Sequence, residues 1–191
     1  LVLTFLSQNT SDVNSHRAFE QLQGRYPTWE AVIAAAAEEL AQTIRSGGLA
    51  DIKAVRIQAA LQRILEERGE FSLDFLADLP LEEAKQWLTS LKGVGPKTAA
   101  IVLLFCFGKP VFPVDTHVHR ISRRLGIVPF KASRERTQAV WETLVPADTY
   151  YPLHLNLITH GRRVCKAGQP RCATCVLRAH CNWYIGTLVK R

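Results

Sequence analysis

"LTSLKGVGPKTAAIVLLFCF", residues 88–107, is the stretch on which the fold turns. Ala84, Trp87, Leu88 and Leu91 recur at i, i+3, i+4 and i+7, the stripe of a helix that buries one face. Gly93 and Gly95 permit a tight turn with positive φ. Pro96 suits the first turn of a second helix, where its missing N–H costs nothing. The spacing therefore predicts a helix-hairpin-helix. Backbone N–H groups around such a turn and at the following helix start can hold a phosphate, without reading base sequence. A nucleotide-binding P-loop is excluded: G-x4-G-K-[ST] is absent, and a P-loop follows a strand whereas this turn follows a helix.

Working outward, the 191 residues, 47% hydrophobic and 21% charged, have an ordinary globular composition. No apolar run reaches the roughly 18 residues a membrane helix needs, and no secretory leader opens the chain. A soluble intracellular protein with no membrane partner is expected, cytoplasmic and nucleoid-associated if bacterial or archaeal. The chain opens on "LVLTFL" without methionine, which reads as the inside of a helix with its N-terminus truncated. The net charge of +7 is uneven: 11 Lys/Arg against 13 Asp/Glu through Lys109, then 13 against 4. The basic part suggests an anionic partner.

Helical spacing dominates elsewhere. Ala18, Phe19, Leu22 and Tyr26 form one stripe; Ile52, Val55, Ala59 and the pair Ile64/Leu65 form another, ended by Gly69. Asp115 or Thr116 can cap a helix carrying Val118, Ile121 and Leu125 and stopped by Gly126, and Ser133 can begin one that runs to Leu144. The alanine run 34–37 reads as buried helix. "VFPV" at 111–114 is the extended joint between an acidic part, 1–109, and a basic part, 110–191.

The tail "CKAGQPRCATCVLRAHC" holds Cys165, Cys172, Cys175 and Cys181 at C-x6-C-x2-C-x5-C. Without secretion signals, metal binding is favoured over disulfides. Four thiolates suit zinc or an iron–sulfur cluster, and spacing leaves both open. Cys106, inside "IVLLFCFG", reads as a small buried hydrophobe. His117 and His119 form H-x-H, but nothing beside them completes a metal site, and His119 is expected at the surface.

Lys97, taken alone, reads as one more phosphate contact. "FPVDTHVHRI" alters that reading by supplying Asp115 at a helix start. A capping carboxylate is held oriented and ionised, as a base should be. "LKGVGPKTA", then "VDTHVHRISRRLGI", then the cysteine tail, resemble in order the endonuclease III family of helix-hairpin-helix DNA glycosylases; "LSQNTSDV" at 6–13 and "GGLADIKAVRI" at 47–57 extend the likeness over almost the whole chain. The departures are Lys92 and Pro96 where relatives often have Pro and Arg, Asn9 where many have Gln, and a longer segment between 66 and 90.

The resemblance implies an all-α fold, a helical barrel domain with the helix-hairpin-helix beside a smaller iron–sulfur cluster domain, with the active site between them. It implies a 4Fe-4S cluster on Cys165, Cys172, Cys175 and Cys181. It further implies a base-excision-repair glycosylase with AP lyase activity, acting as a monomer on double-stranded DNA that carries damaged bases, oxidised pyrimidines foremost, or abasic sites. Lys97 is then the nucleophile and Asp115 its carboxylate partner. Asn9, with Gln8, fills the space left by the extruded nucleotide, while Leu49 wedges the opposite strand. Lys92, Gly93, Val94, Gly95 and Thr98 meet the backbone, His117 lines the lesion pocket, and Arg162 and Lys166, with Arg163 and Arg171, meet phosphates. The alternatives are an adenine-mismatch glycosylase of the same superfamily, which typically lacks a lysine at position 97, and a non-catalytic DNA-binding module.

Overall fold

The computed structural model describes residues 1–189. Twelve helices and four short 3-10 turns make up its regular structure, and no strand occurs among the described residues, so the fold is all-α. The chain divides into two compact units, Leu1–Leu103 and Leu104–Arg191. The division falls inside a helix, a few residues before Lys109.

The first unit contains α1 (Val2–Leu6), α2 (Asp12–Arg25), α3 (Trp29–Ala34), α4 (Ala37–Thr43), the 3-10 turn Arg45–Gly47, α5 (Ala50–Arg68), α6 (Phe75–Asp78), α7 (Leu81–Ser90) and most of α8 (Pro96–Phe107). Ser11 and Thr28 cap α2 and α3 through their hydroxyls, which accept from Asn14 and Ala31 N–H groups at 3.3 and 3.2 Å. α5 is central and packs against α1, α3 and α4. Its core face is Ala54, Ile57, Ala60, Leu61 and Ile64. Each aliphatic side chain of Leu or Ile size buried there is worth about 1.5–3 kcal/mol.

That face corrects the stripe drawn from sequence. Ile52 and Val55 are half exposed and Ala59 is exposed, because Lys53 occupies the core position between them. A buried lysine breaks the apolar period, and a hydropathy reading rotates the helix to the wrong side. The alanine run is also corrected. Ala35 is extended and Ala36 precedes α4, so the alanine run spans a break at residues 35 and 36 between two helices. Gln58 explains it: its side-chain amide donates to the carbonyls of Val32, Ile33 and Ala35 at 3.0, 3.3 and 2.8 Å, satisfying the end of α3.

The second unit contains α9 (Thr116–Leu125), α10 (Arg134–Leu144), the 3-10 turn Ala147–Thr149, α11 (Tyr150–Arg163), two further 3-10 turns at Cys172–Thr174 and Arg178–His180, and α12 (Asn182–Val189). Both expected caps are present: Ser133 Oγ accepts from Arg136 N–H at 3.1 Å, and Gly126 ends α9 with φ 83°. The extended segment 111–114 is buried. Phe112 stacks on Trp141 at 5.5 Å and meets Tyr150 edge-on at 5.5 Å, while Trp141 Nε1 donates to Ser122 Oγ at 2.8 Å. Cys106 is exposed, which corrects its reading as a buried hydrophobe. The last turn of that helix turns outward, with Phe105 exposed beside it and its ring tilted against Tyr151 at 4.8 Å.

Candidate nucleic-acid interface and catalytic residues

The hairpin is built as its sequence suggests, with one difference. α7 ends at Ser90, Leu91 turns extended, and Val94 N–H closes the turn on Leu91 O at 3.0 Å. Gly93 has φ 91°, and a Cβ there would collide with the Arg56 side chain. Gly95 does not take a positive φ, and no protein atom lies within 4 Å of where its Cβ would be. Internal geometry thus requires glycine at 93 and leaves the surface beside 95 open to a ligand. Leu91, Val94 and Thr98 are buried under the turn, whereas Lys92 is exposed. Lys97, the second residue of α8, is half-buried directly after the turn.

Gln8 is tied to this hairpin. Its Nε2 donates to Gly93 O at 3.0 Å and Thr98 Oγ1 at 3.3 Å, so its amide braces the turn from α1's side. Asn9, the next residue, is exposed and left-handed, with φ 54°. Leu49 is also left-handed, φ 51° and ψ 37°, and 54% exposed at the start of α5. A leucine in that conformation costs roughly 1–2 kcal/mol, and such strain marks a position retained for something other than stability. Lys53, 1% exposed, lies one turn further on, and burial pushes its ammonium pKa down.

In the second unit Asp115 caps α9 through Oδ1, which accepts from Val118 N–H at 2.7 Å. Half-buried His117 lies beside Arg120, with Nδ1 3.1 Å from Arg120 Nη2. Burial chiefly lowers the His117 pKa; Asp115 opposes that shift, while Arg120 and Arg162 add to it. Gly161 on α11 lets α9 come this close: a Cβ there would stand 2.8 Å from both Cβ and Nδ1 of His117. His119 is partly buried rather than at the surface, its Nε2 donating to Ala132 O at 2.8 Å.

The four cysteines line one partly open pocket, together with His160, Arg124 and Trp183. Arg124, 8% exposed, donates from Nη1 to Cys165 Sγ at 3.2 Å and Lys166 O at 2.7 Å, and from Nη2 to Ala167 O at 2.8 Å. Arg120 donates from Nε and Nη2 to Cys165 O at 3.0 and 2.9 Å. Burial raises the Cys172 thiol pKa, and the other three cysteines add to the shift. No group of three or more His, Cys, Asp or Glu among the described residues is gathered so as to hold a metal ion. Four cysteine side chains lining one pocket are a donor set that suits a metal centre. Arg162, Arg163, Lys166 and Arg171 are all exposed around this loop.

Sequence reasoning missed Lys53, Arg120, Arg124 and Gly161. "HRISRRLG" does carry a signal, arginines four apart at 120 and 124 on one helix face, and "DIKAVRI" carries another, a lysine at a core position.

Residues 2–147 match the family described as HhH-GPD superfamily base excision DNA repair protein. The chain is 43% identical over 162 residues to the putative DNA glycosylase At3g47830 of Arabidopsis thaliana, covering 85% of this chain and 55% of that protein. It is 38% identical over 184 residues to Endonuclease III of Thermotoga maritima, covering 96% and 82% respectively. A solved structure of a trapped Endonuclease III–DNA covalent intermediate superposes with a TM-score of 0.85 at 32% identity, over 98% of this chain and 84% of that one. The chain belongs to the HhH-GPD superfamily of base excision DNA repair proteins. Within that superfamily it is a member of the endonuclease III family, and it spans about half the length of the plant relative it matches. No described helix is long and apolar enough to cross a membrane.

Proposed function

We propose that the protein excises oxidised pyrimidines from duplex DNA as a monomeric intracellular enzyme and then nicks the strand at the abasic site, with Lys97 as nucleophile. The observation that carries this reading is a half-buried lysine at the second position of a helix, directly after a glycine turn whose backbone donors suit a phosphate. The likeness to a trapped covalent DNA intermediate of Endonuclease III supports it.

Lysine's ordinary pKa of about 10.4 leaves it protonated at neutral pH. The helix N-terminus beside Lys97 disfavours the ammonium and so favours the amine. The amine attacks C1′ of the extruded nucleotide and the C1′–N bond breaks, with the electron pair leaving on the base. Asp115 balances the positive charge developing on the sugar and takes the proton released from nitrogen. Ring opening gives a Schiff base, and loss of a proton from C2′ expels the 3′ phosphate by β-elimination. One Asp115 oxygen carries the helix cap, which keeps the carboxylate aimed during these steps.

Asn9 fills the space left by the extruded nucleotide and Leu49 wedges the opposite strand, while Gln8 holds the hairpin beside them. His117, its pKa lowered by burial, lines the lesion pocket. Lys92, Gly93, Val94, Gly95 and Thr98 shape the phosphate grip, joined by Arg162 and Lys166. The donor set Cys165, Cys172, Cys175 and Cys181 fits a 4Fe-4S cluster, which when bound ties the four thiolates into one cross-link. The pressure against thiolate formation at Cys172 is what a cationic centre reverses.

The test offers duplexes bearing an oxidised pyrimidine, uracil, an abasic site or mismatched adenine, and scores base release and nicking separately. Release of the oxidised pyrimidine with nicking is expected. Release of adenine without nicking moves the protein to the mismatch class, and binding without release reduces it to a DNA-binding module. Iron analysis should give four irons per chain; one zinc and no iron would remove the cluster.

A further inference from the structure

Among the described residues, the non-glycine positions with left-handed backbone are Asn9 and Leu49, φ 54° and 51°. They lie forty residues apart in sequence, in separate loops, and both side chains are exposed. Between the loops lies a lysine in the core. Lys53 is 1% exposed, and its Nζ donates to Leu6 O and to Gly47 O, each at 2.8 Å. Leu6 ends α1 three residues before Asn9, and Gly47 ends the 3-10 turn two residues before Leu49.

Both acceptors stand at the end of a helical turn, where the backbone ladder has run out and a carbonyl needs an outside donor. One ammonium satisfies both, so neither loop can shift along its axis without breaking a buried bond. Neighbouring contacts seat the same two loops. A Cβ on Gly47 would lie 3.2 Å from Ala18 Cβ, and Gln8 is bonded to Gly93 O and Thr98 Oγ1. Lys53 N–H also bonds Leu49 O at 3.0 Å, so one residue holds Leu49 by its backbone and both loop roots by its side chain.

We propose that Lys53 is a positioning residue for base extrusion, joining the roots of the two loops so that Asn9 and Leu49 enter the duplex together as one wedge. The inference rests on the reading of Asn9 and Leu49 as the inserted residues. Its logic is entropic: two loops fixed before DNA arrives lose less freedom on insertion than two that move separately. An apolar side chain of equal length would fill the space and leave two buried carbonyls without a donor.

Lys53→Met tests this on two substrates, a paired duplex containing the lesion and the same lesion in an unpaired bubble, where extrusion is already done. 2-Aminopurine opposite the lesion reports unstacking. The expected result is affinity for undamaged duplex within about twofold of wild type, single-turnover base release from the paired duplex slowed at least about tenfold, bubble release slowed less than about threefold, and a reduced 2-aminopurine signal. Lys53→Arg, which keeps two donors, should restore most of the paired-duplex rate. If the Met variant does not fold, Lys53→Gln, whose shorter side chain holds its amide back from the two carbonyls, should show the same split between substrates. Equal slowing on both substrates, or none, overturns the clamp. Asn9→Ala and Leu49→Ala run alongside separate the two levels. If they lose unstacking while the Lys53 variants keep it, the clamp alone is wrong; if they keep it, the insertion reading fails and takes the clamp with it.

Discussion

The hairpin at 91–98 and the cysteine loop at 164–181 are both short, glycine-bearing and basic, yet they are held in opposite ways. Beneath the hairpin lie Leu88, Leu91, Val94, Ala99 and Ala100, all at most 5% exposed. Between Arg162 and Thr187 no residue is buried. The cysteine loop instead hangs on backbone hydrogen bonds and on two arginines of α9 that reach its carbonyls and one of its sulfurs. A segment without an apolar core has little to oppose chain entropy, and cross-linking through its cysteines is the remedy small domains use. The hairpin can therefore be altered at its functional atoms without collapse, while the loop's shape depends on the atoms that carry its chemistry.

The largest effect expected from this contrast is at Lys97. Lys97→Gln should abolish borohydride trapping on lesion-bearing DNA and base release, with lesion affinity changed by no more than about threefold, because the glycine turn keeps its backbone donors. A loss of affinity with catalysis retained per bound complex would make the lysine a grip. Asp115→Asn comes next: an amide caps a helix as well as a carboxylate, so melting should hardly move, while single-turnover base release slows about 10²–10⁴-fold. Unchanged release would take the base role away from it.

In the cysteine loop, Cys175→Ser should release iron and strip amide exchange protection from 165–181, leaving hairpin amides as protected as before. Uniform loss of protection in both regions would break the comparison. Leu88→Ala should show the reverse pattern. It should cost about 2–5 kcal/mol of stability, read by denaturant unfolding, while leaving iron content intact. The smallest effect is a pH dependence at His117. Burial holds its folded pKa below the ordinary value, so its contribution to stability is present above about pH 6.5 and is lost as pH falls through the lowered folded value. Wild type should lose more stability than His117→Gln on going from pH 7 to pH 5; parallel curves would remove the role of burial.

The parts legible in the sequence are those where local chemistry and global fold agree. Asp115 and Ser133 before apolar-striped runs, and Gly69 and Gly126 after them, mark helix ends because caps act within one turn. The hairpin and the cysteine spacing are likewise local. Errors arose where a distant polar group took an apolar place. Lys53 turned α5 to its wrong face because its two acceptors lie 47 and 6 residues away, and Gln58 ended α3 inside a good helical sequence from at least 23 residues downstream. The grip of Arg120 and Arg124 on residues 165–167 has the same long reach. Hydropathy patterns cannot encode such pairings, since only the folded chain brings donor and acceptor together.

Leu49 and Asn9, held left-handed at the surface, set a trap for anyone selecting sturdier variants. Glycine at either position would relieve the backbone at once, and a screen that rewards melting temperature alone should enrich it. Such winners would be easier to purify and store, yet blunt at the two tips proposed to enter DNA. Heat tolerance and lesion search are thus in competition at these two positions, and a population bred for the first should drift away from the second.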